Sequence, residues 1–198
     1  MNIETVKYAE TGEVEIRSDE QLITATREGD QIAFRELVLR YESRVAATVI
    51  GMLGNCPEAD DVGQETFIGF HRGLKNFRGE SSVATYLTRI AINLSLNELK
   101  RRKRRFSIFS RPATDEPMDI PDEKASKMSF EDKDLIRWAL TKLKPEFRSV
   151  VVLRLLDGYS TADTAEALKV PIGTVQSRLA RAQGKLREIL APHFGEKS

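Results

Sequence analysis

Hydrophobic positions recur at helical spacing along most of the chain, and nowhere do they alternate at the two-residue period of a half-buried strand. The period begins at Ser18, where Ser18, Asp19, Glu20 and Gln21 read as a capping box opening a first helix. Gly29 and Asp30 end it. Asp30 is placed to cap a second helix, in which Phe34, Leu37, Val38, Tyr41, Val45, Val49 and Leu53 share one side. Asn55, Cys56 and Pro57 break the chain, and Pro57 suits the first turn of a third helix ending near Leu74. A polar turn at 78–82 precedes a fourth helix from Val83 that carries Leu87, Ile90, Ala91, Leu94 and Leu99. Over 106–130 the pattern fails, and Pro112, Pro117 and Pro121 punctuate an acidic, serine-containing stretch that reads as linker. Helical order resumes near Glu131 with Leu135, Trp138, Ala139 and Leu143, and Pro145 starts a helix through Leu156. Asp157, Gly158 and Tyr159 turn the chain. Ser160 and Asp163 form a second capping box, a short helix ends near Lys169, and a last helix runs from about Thr174 to Leu190.

The expected fold is therefore all-α, with two small helical domains on a flexible acidic linker. A four-helix domain spans 18–105, the linker 106–130, and a helix-turn-helix domain 131–192, between tails at 1–17 and 193–198. With 198 residues, 40% of them hydrophobic, the chain has material for two modest cores.

Charge sharpens this picture. Net charge is only +1 although 31% of residues are charged, because the charges are segregated. Lys100, Arg101, Arg102, Lys103, Arg104 and Arg105 form an unbroken basic run, while Asp115, Glu116, Asp119, Asp122 and Glu123 fall in a stretch with no base. A polyanion is drawn to the first and repelled by the second. Cys56 is the sole cysteine, so neither an intrachain disulfide nor a cysteine-rich zinc site can form. His71 and His193 are the only histidines, so neither metal nor cofactor is expected. No apolar run approaches the ~20 residues of a membrane span, and no basic-then-apolar leader opens the chain, so a cytoplasmic protein without membrane insertion is expected. No paired carboxylates, nucleophile–base set or glycine-rich phosphate loop points to an enzyme.

The last two helices have helix-turn-helix lengths, and the second of such a pair enters the major groove. Val175, Leu179, Ala182, Leu186 and Ile189 make its apolar stripe, and Thr174, Arg178, Arg181 and Lys185 follow a second stripe. Thr174, Gln176 and Ser177 lie at its N-terminus, where base contacts are made, and the two arginines suit phosphate or a guanine edge. A solvated face on an ordinary packing helix is the bland alternative.

Two stretches resemble extracytoplasmic-function (ECF) sigma factors. Residues 143–190, including Leu143, Pro145, Asp157, Gly158, Tyr159, Pro171, Gly173, Thr174 and Arg178, resemble the C-terminal domain of that family. Asp60, Asp61, Gln64, Glu65 and Phe67, followed by 77–93, resemble its polymerase-binding and promoter-melting domain. The resemblance covers roughly 19–190. It implies a dissociable initiation factor that binds core RNA polymerase through its β and β′ subunits, recognises promoter DNA, and answers to an anti-sigma factor. Asp60, Asp61, Gln64, Glu65 and Phe67 would grip polymerase; Asp61, Gln64 and Glu65 share one helical face by spacing alone. Gly73, Asn76, Phe77, Arg78, Glu80, Ser81, Ser82, Arg89, Asn93 and Lys100 would meet the −10 element, where an aromatic among small polar groups suits an extruded base. Arg154, Thr174, Gln176, Ser177, Arg178 and Arg181 would meet the −35 element. The basic run would add diffuse phosphate contacts. The acidic linker reads equally as a stand-in for RNA phosphates inside polymerase or as a solvated tether.

The sequence departs from the family pattern at Gly63, Tyr86, Thr164 and Gln176. Gln176 matters most, exchanging a phosphate or guanine contact for an adenine contact. A stand-alone helix-turn-helix regulator is the other reading. It explains the C-terminal half and leaves residues 60–105 without a role.

Overall fold

The computed structural model describes residues 17–109 and 132–194, all helix and short turns. The acidic stretch from Asp115 to Glu123 lies outside the described residues. Helices α1 (Asp19–Arg27), α2 (Gln31–Leu53), α3 (Pro57–Gly73) and α4 (Val83–Phe109) build the N-terminal unit. Helices α5 (Asp132–Thr141), α6 (Pro145–Val151), α7 (Thr161–Leu168) and α8 (Ile172–Phe194) build the C-terminal one.

Local chemistry sets the helix starts. Ser18 and Gln21 satisfy each other's backbone N–H groups in a capping box, and Ser160 and Asp163 do the same before α7. The Asp30 carboxylate accepts from the Ile32 and Ala33 N–H groups, which holds its pKa below the usual carboxylate value. Pro57 and Pro145 each open a helix where their missing N–H is no loss. Ser82 caps α4 by accepting from the Thr85 N–H at 3.1 Å.

Three boundaries differ from expectation. Arg17, assigned to the loose tail, is tied down by Glu36 at 2.7 Å and Asp30 at 3.5 Å. Helix α4 continues through Phe109, so 106–109 are helix rather than linker. The last helix begins at Ile172, two residues early, after Lys169 closes α7 in the left-handed region at φ 53°.

The N-terminal core gathers Leu22, Leu37, Val49, Met52, Phe70, Leu87 and Ile92, all fully buried. The C-terminal core joins Leu140, Leu143, Val151 and Ala182, with Val150, Ala165 and Val175 beside them. Val150, Val151, Val152 and Leu153 are all buried, and consecutive residues step 100° around a helix, so this segment is enclosed on every side. Val150 and Val151 face the C-terminal core, whereas Val152 and Leu153 join the N-terminal one. The helix widens there into a π-helical turn (Val152–Leu156), with the Asp157 N–H donating to the Val152 carbonyl at 2.9 Å.

The two units thus share a boundary along α2. The Thr48 hydroxyl donates to Asp157 at 3.0 Å, and Arg44 donates to the Asp157 carbonyl at 3.1 Å while lying over the Tyr159 ring. Arg148, 5% exposed, donates to the carbonyls of Met52 across the boundary and of Thr141 and Leu143 on its own side. Burial, with the charge of Arg102 nearby, pushes its pKa down to about 10.

Burial likewise raises the Asp157 carboxyl above its ordinary 3.8, against the Thr48 hydrogen bond and Arg44, which pull it down. A raised carboxyl pKa means the folded chain binds that proton more tightly than the unfolded chain. Its contribution to stability is present at low pH and is lost as pH climbs from 3.8 through the raised value. Asp157→Asn keeps an acceptor for Thr48 without the charge. Its melting temperature relative to wild type is expected to climb between acid and neutral pH and then level off, read from paired thermal melts across that range.

Candidate nucleic-acid and polymerase interfaces

Helix α3 displays Asp60, Asp61, Gln64 and Glu65 to solvent, with Arg72 3.8 Å from Glu65. Phe67 does not share that surface. It is half-buried against the N-terminal core, and the exposed apolar residue alongside Gln64 and Glu65 is Ile68, 43% exposed. The helical spacing 61, 64, 65, 68 would have found Ile68, an aliphatic side chain on a polar face. Next to this face Ile32, Phe34, Phe67, Ile68 and His71 line an open groove of about 860 Å³ between α3 and the α1–α2 corner.

The second site is the loop after α3. A 3₁₀ turn (Leu74–Asn76) carries the chain off α3, and Gly79, at φ 73°, makes a left-handed bend that only glycine adopts freely. Asn76, Arg78, Glu80 and Ser82 are exposed and Ser81 half-buried. Phe77 packs edge-on to Tyr86 with centroids 5.1 Å apart, Tyr86 lies 6.0 Å from Phe70, and Phe70 6.4 Å from Phe34. That aromatic series runs from the groove to the loop.

Arg27 fastens the loop from α1. Its Nε donates to the Leu74 carbonyl at 3.0 Å and its Nη2 to the Phe77 carbonyl. With Lys75, Asn76, Phe77 and Arg78 it lines a cleft of about 410 Å³, rich in donors. No sequence signal marks Arg27, which acts 47 and 50 residues away along the chain.

Asn93 and Lys100 are exposed on α4. Arg89, one turn before Asn93, is instead paired at 2.5 Å with Glu166 of α7. The basic run divides. Arg102 bridges Glu58 at 3.1 Å and Glu98 at 3.4 Å and donates to the Cys56 sulfur at 3.0 Å, binding α4 to the start of α3. Arg101 pairs with Glu98 at 2.6 Å. Lys100, Lys103 and Arg105 remain exposed.

In the C-terminal unit Val150, Ala165 and Val175 lock α7 against α8. Gln176, Ser177 and Arg181 are then exposed, with Thr174 and Arg178 half-buried at their edge. The Ser177 hydroxyl donates to the Thr174 carbonyl at 3.1 Å, which leaves its oxygen to accept. Thr164 is fully buried and donates to the Ser160 carbonyl at 2.8 Å. Arg154 is not gathered with this group, because its guanidinium turns inward to the Tyr159 carbonyl. Among the described residues no group of His, Cys, Asp and Glu is arranged to hold a metal, and no helix is long and apolar enough to cross a membrane.

Fold and site define a two-domain, all-helical protein whose C-terminal unit is a helix-turn-helix. Residues 37–105 match sigma-70 region 2, and residues 133–186 match sigma-70 region 4. The chain is 34% identical over 186 residues to the RNA polymerase sigma-H factor of Pseudomonas aeruginosa, covering 90% of this chain and 96% of that one. It is 30% identical over 178 residues to the ECF RNA polymerase sigma factor SigW of Bacillus subtilis, covering 85% and 94%. With the ECF RNA polymerase sigma-E factor of Escherichia coli (strain K12) the identity is 32% over 185 residues, covering 88% and 95%. The fold is shared with CnrH, solved with the cytosolic domain of CnrY, at TM-score 0.63 and 24% identity over 88% of this chain and 97% of that one. It is shared equally with the sigma factor RpoE of Bartonella quintana, solved with the anti-sigma factor NepR, at TM-score 0.63 and 23% identity over 80% and 96%. This chain belongs to the extracytoplasmic-function sigma factors of the sigma-70 family.

Gly73 meets Tyr86 so closely that an added Cβ would overlap the Tyr86 hydroxyl, while the ring carbon beneath it stands at 3.4 Å, an ordinary contact. Gly73→Ala is expected to destabilise the chain by about 1–3 kcal/mol through overpacking. Tyr86→Phe in the same chain removes the clashing oxygen and should restore most of the loss, as read from urea unfolding of the single and double variants.

Proposed function

We propose that this sigma factor recruits core RNA polymerase through the exposed α3 face of Asp61, Gln64, Glu65 and Ile68, and directs it to promoters with −35 and −10 elements in the cytoplasm. The observation that carries the reading is the pairing of two surfaces on one chain: an acidic, apolar-edged helix face in region 2 and an exposed reading helix in region 4. The first suits a protein partner and the second DNA. Region 4 places Thr174, Gln176, Ser177, Arg178 and Arg181 against the major groove of the −35 element. The loop at 77–82 takes an extruded base of the −10 element, with Phe77 for stacking and Asn76 and Arg78 for polar contacts. Asn93 and Lys100 follow the adjoining phosphates along α4. Core polymerase supplies the catalytic centre; this chain contributes recognition and DNA opening. The fold shared with the sigma factor RpoE of Bartonella quintana, solved with the anti-sigma factor NepR, supports control of this chain by such a protein, covering the same surfaces.

The test is run-off transcription from a promoter library with core polymerase, alongside DNA binding with and without core. Specific transcripts that require both components are the expected result. Tight, sequence-specific DNA binding by the chain alone, unchanged by core, would make it a stand-alone regulator instead. Asp61→Lys reverses charge on the α3 face and is expected to weaken core binding at least tenfold, about 1.4 kcal/mol, with helix content unchanged. Gln176→Arg should shift preference at one −35 position toward guanine, by about 1–3 kcal/mol, without affecting core binding.

A further inference from the structure

Arg27 ends α1 and reaches the loop after α3 from outside it. The helix that carries it is fixed at both ends. Leu22 and Ile23 sit in the N-terminal core and Thr26 is buried beside them in sequence, while Arg40 and Tyr41 of α2 hold Asp19, Arg40 at 2.6 Å. The guanidinium is a flat, rigid fork that serves two acceptors in one geometry, which a lysine ammonium on a flexible stem does not.

The two acceptors are carbonyls that the chain leaves short of donors. A helix end exposes carbonyls with no partner inside the helix. Leu74, in the 3₁₀ turn after α3, accepts from the Phe77 N–H at 3.2 Å and from the Arg27 Nε at 3.0 Å. The Phe77 carbonyl accepts from the Arg27 Nη2 and, among the described residues, from no backbone N–H. Phe77 has left helical geometry, at φ −70° and ψ 117°, with its ring propped on Tyr86. Arg27 therefore fixes the plane of the peptide that joins Phe77 to Arg78, where the chain passes from the aromatic series to the exposed part of the loop. Ser82 caps α4, so only residues 78–81, with Gly79 at φ 73° among them, lie between the two fixed points.

A cation placed for DNA phosphate keeps its donors free. Arg27 commits donors to the loop backbone, although it is exposed and lines the cleft with Lys75 and Arg78. A loop that must find its shape on binding loses affinity to that ordering, and one already shaped does not. We propose that Arg27 is a positioning residue for base capture: by holding the Leu74 and Phe77 carbonyls it keeps the loop in its reading shape before DNA arrives. Arg27 touches no base; it acts through the Phe77–Arg78 peptide. The proposal rests on the reading of this loop as the taker of an extruded −10 base.

Holoenzyme made from core polymerase and the full-length chain tests it, with Arg27→Lys and Arg27→Met beside wild type. Lysine keeps the charge and loses the fork, and methionine loses both. Each is a good helix former at an exposed site, so α1 is kept. The probes are a fluorescein-labelled single strand of the −10 sequence returned by the promoter library, and the same strand made abasic at each position in turn. By fluorescence anisotropy, wild type should bind the intact strand about tenfold tighter than the strand lacking the extruded base. That ratio should fall about threefold in both variants, with core binding unchanged, and with affinity for the abasic strand also unchanged in Arg27→Lys. In the free chain, amide exchange of Phe77, whose N–H is bonded to Leu74, should quicken about tenfold in both variants.

A wild-type ratio in Arg27→Lys overturns the proposal, because charge alone would then suffice. Affinity lost equally from intact and abasic strands overturns it too, being the mark of a phosphate contact or of general damage to the domain. So does unchanged exchange at Phe77. A wild-type holoenzyme indifferent to every abasic position sinks the base-capture reading itself and the proposal with it, a result distinct from a base-sensitive wild type matched by its variants.

Discussion

Helix α2 is packed on two sides, and the remaining architecture follows from that. One side carries Leu37, Val45, Val49 and Met52 into the core made with α1, α3 and α4; the other, at Thr48 and Gly51, is covered by Val152, Leu156 and Asp157. An amphipathic helix has one apolar stripe, so a second covered side is built from small and polar groups rather than from more leucine. Val152 and Leu153 still reach across that second side into the same core. Aliphatic burial of the first kind is worth roughly 1.5–3 kcal/mol per large side chain. The boundary adds burial of that kind through Val152 and Leu153, and sets beside it hydroxyl, carboxylate and guanidinium groups that return much less, since each must first leave water.

The segment 150–153 answers the same constraint from the other domain. Four consecutive buried aliphatics cannot serve one core, and they divide between two, with the π-helical turn rotating Val152 and Leu153 toward α2. The turn also sends Arg154 to the Tyr159 carbonyl, away from the reading face of α8. Two arginines expected at DNA are thus held in contacts inside the chain, Arg89 across the boundary by Glu166 and Arg154 within its own domain. The surfaces expected to meet polymerase on α3 and DNA on α8 stay outside.

In region 2 the loop after α3 is held at its ends and exposed in its middle. Its two ends are fastened, by Arg27 at the Leu74 and Phe77 carbonyls and by Ser82 at the start of α4. Between them Gly79 makes its left-handed bend, and Arg78 and Glu80 reach solvent. Phe77 leans on Tyr86, which presses on Gly73 and Phe70, so loop position is coupled to the core of the domain.

Much of this was legible in the chain alone. Helix starts at Ser18, Asp30, Pro57, Pro145 and Ser160 were local matters of capping and proline geometry, and local chemistry is readable from neighbours in sequence. The family was legible too, because motifs in two separate stretches carry it. The sequence could also place Asp61, Gln64 and Glu65 on one helical face, and Gln176 with Ser177 at the head of the reading helix. It could not show that Phe67 turns toward the core, that Arg102 is spent on Glu58 and Glu98, or that Arg27 holds a loop 50 residues distant. Nor could it show the boundary along α2, where Gly51 reads as an ordinary weak point in a helix until Val152 is set against it. Periodicity records which side of a helix avoids water. Which distant segment covers that side, and which charged groups are trapped beneath it, was decided only when the helices packed.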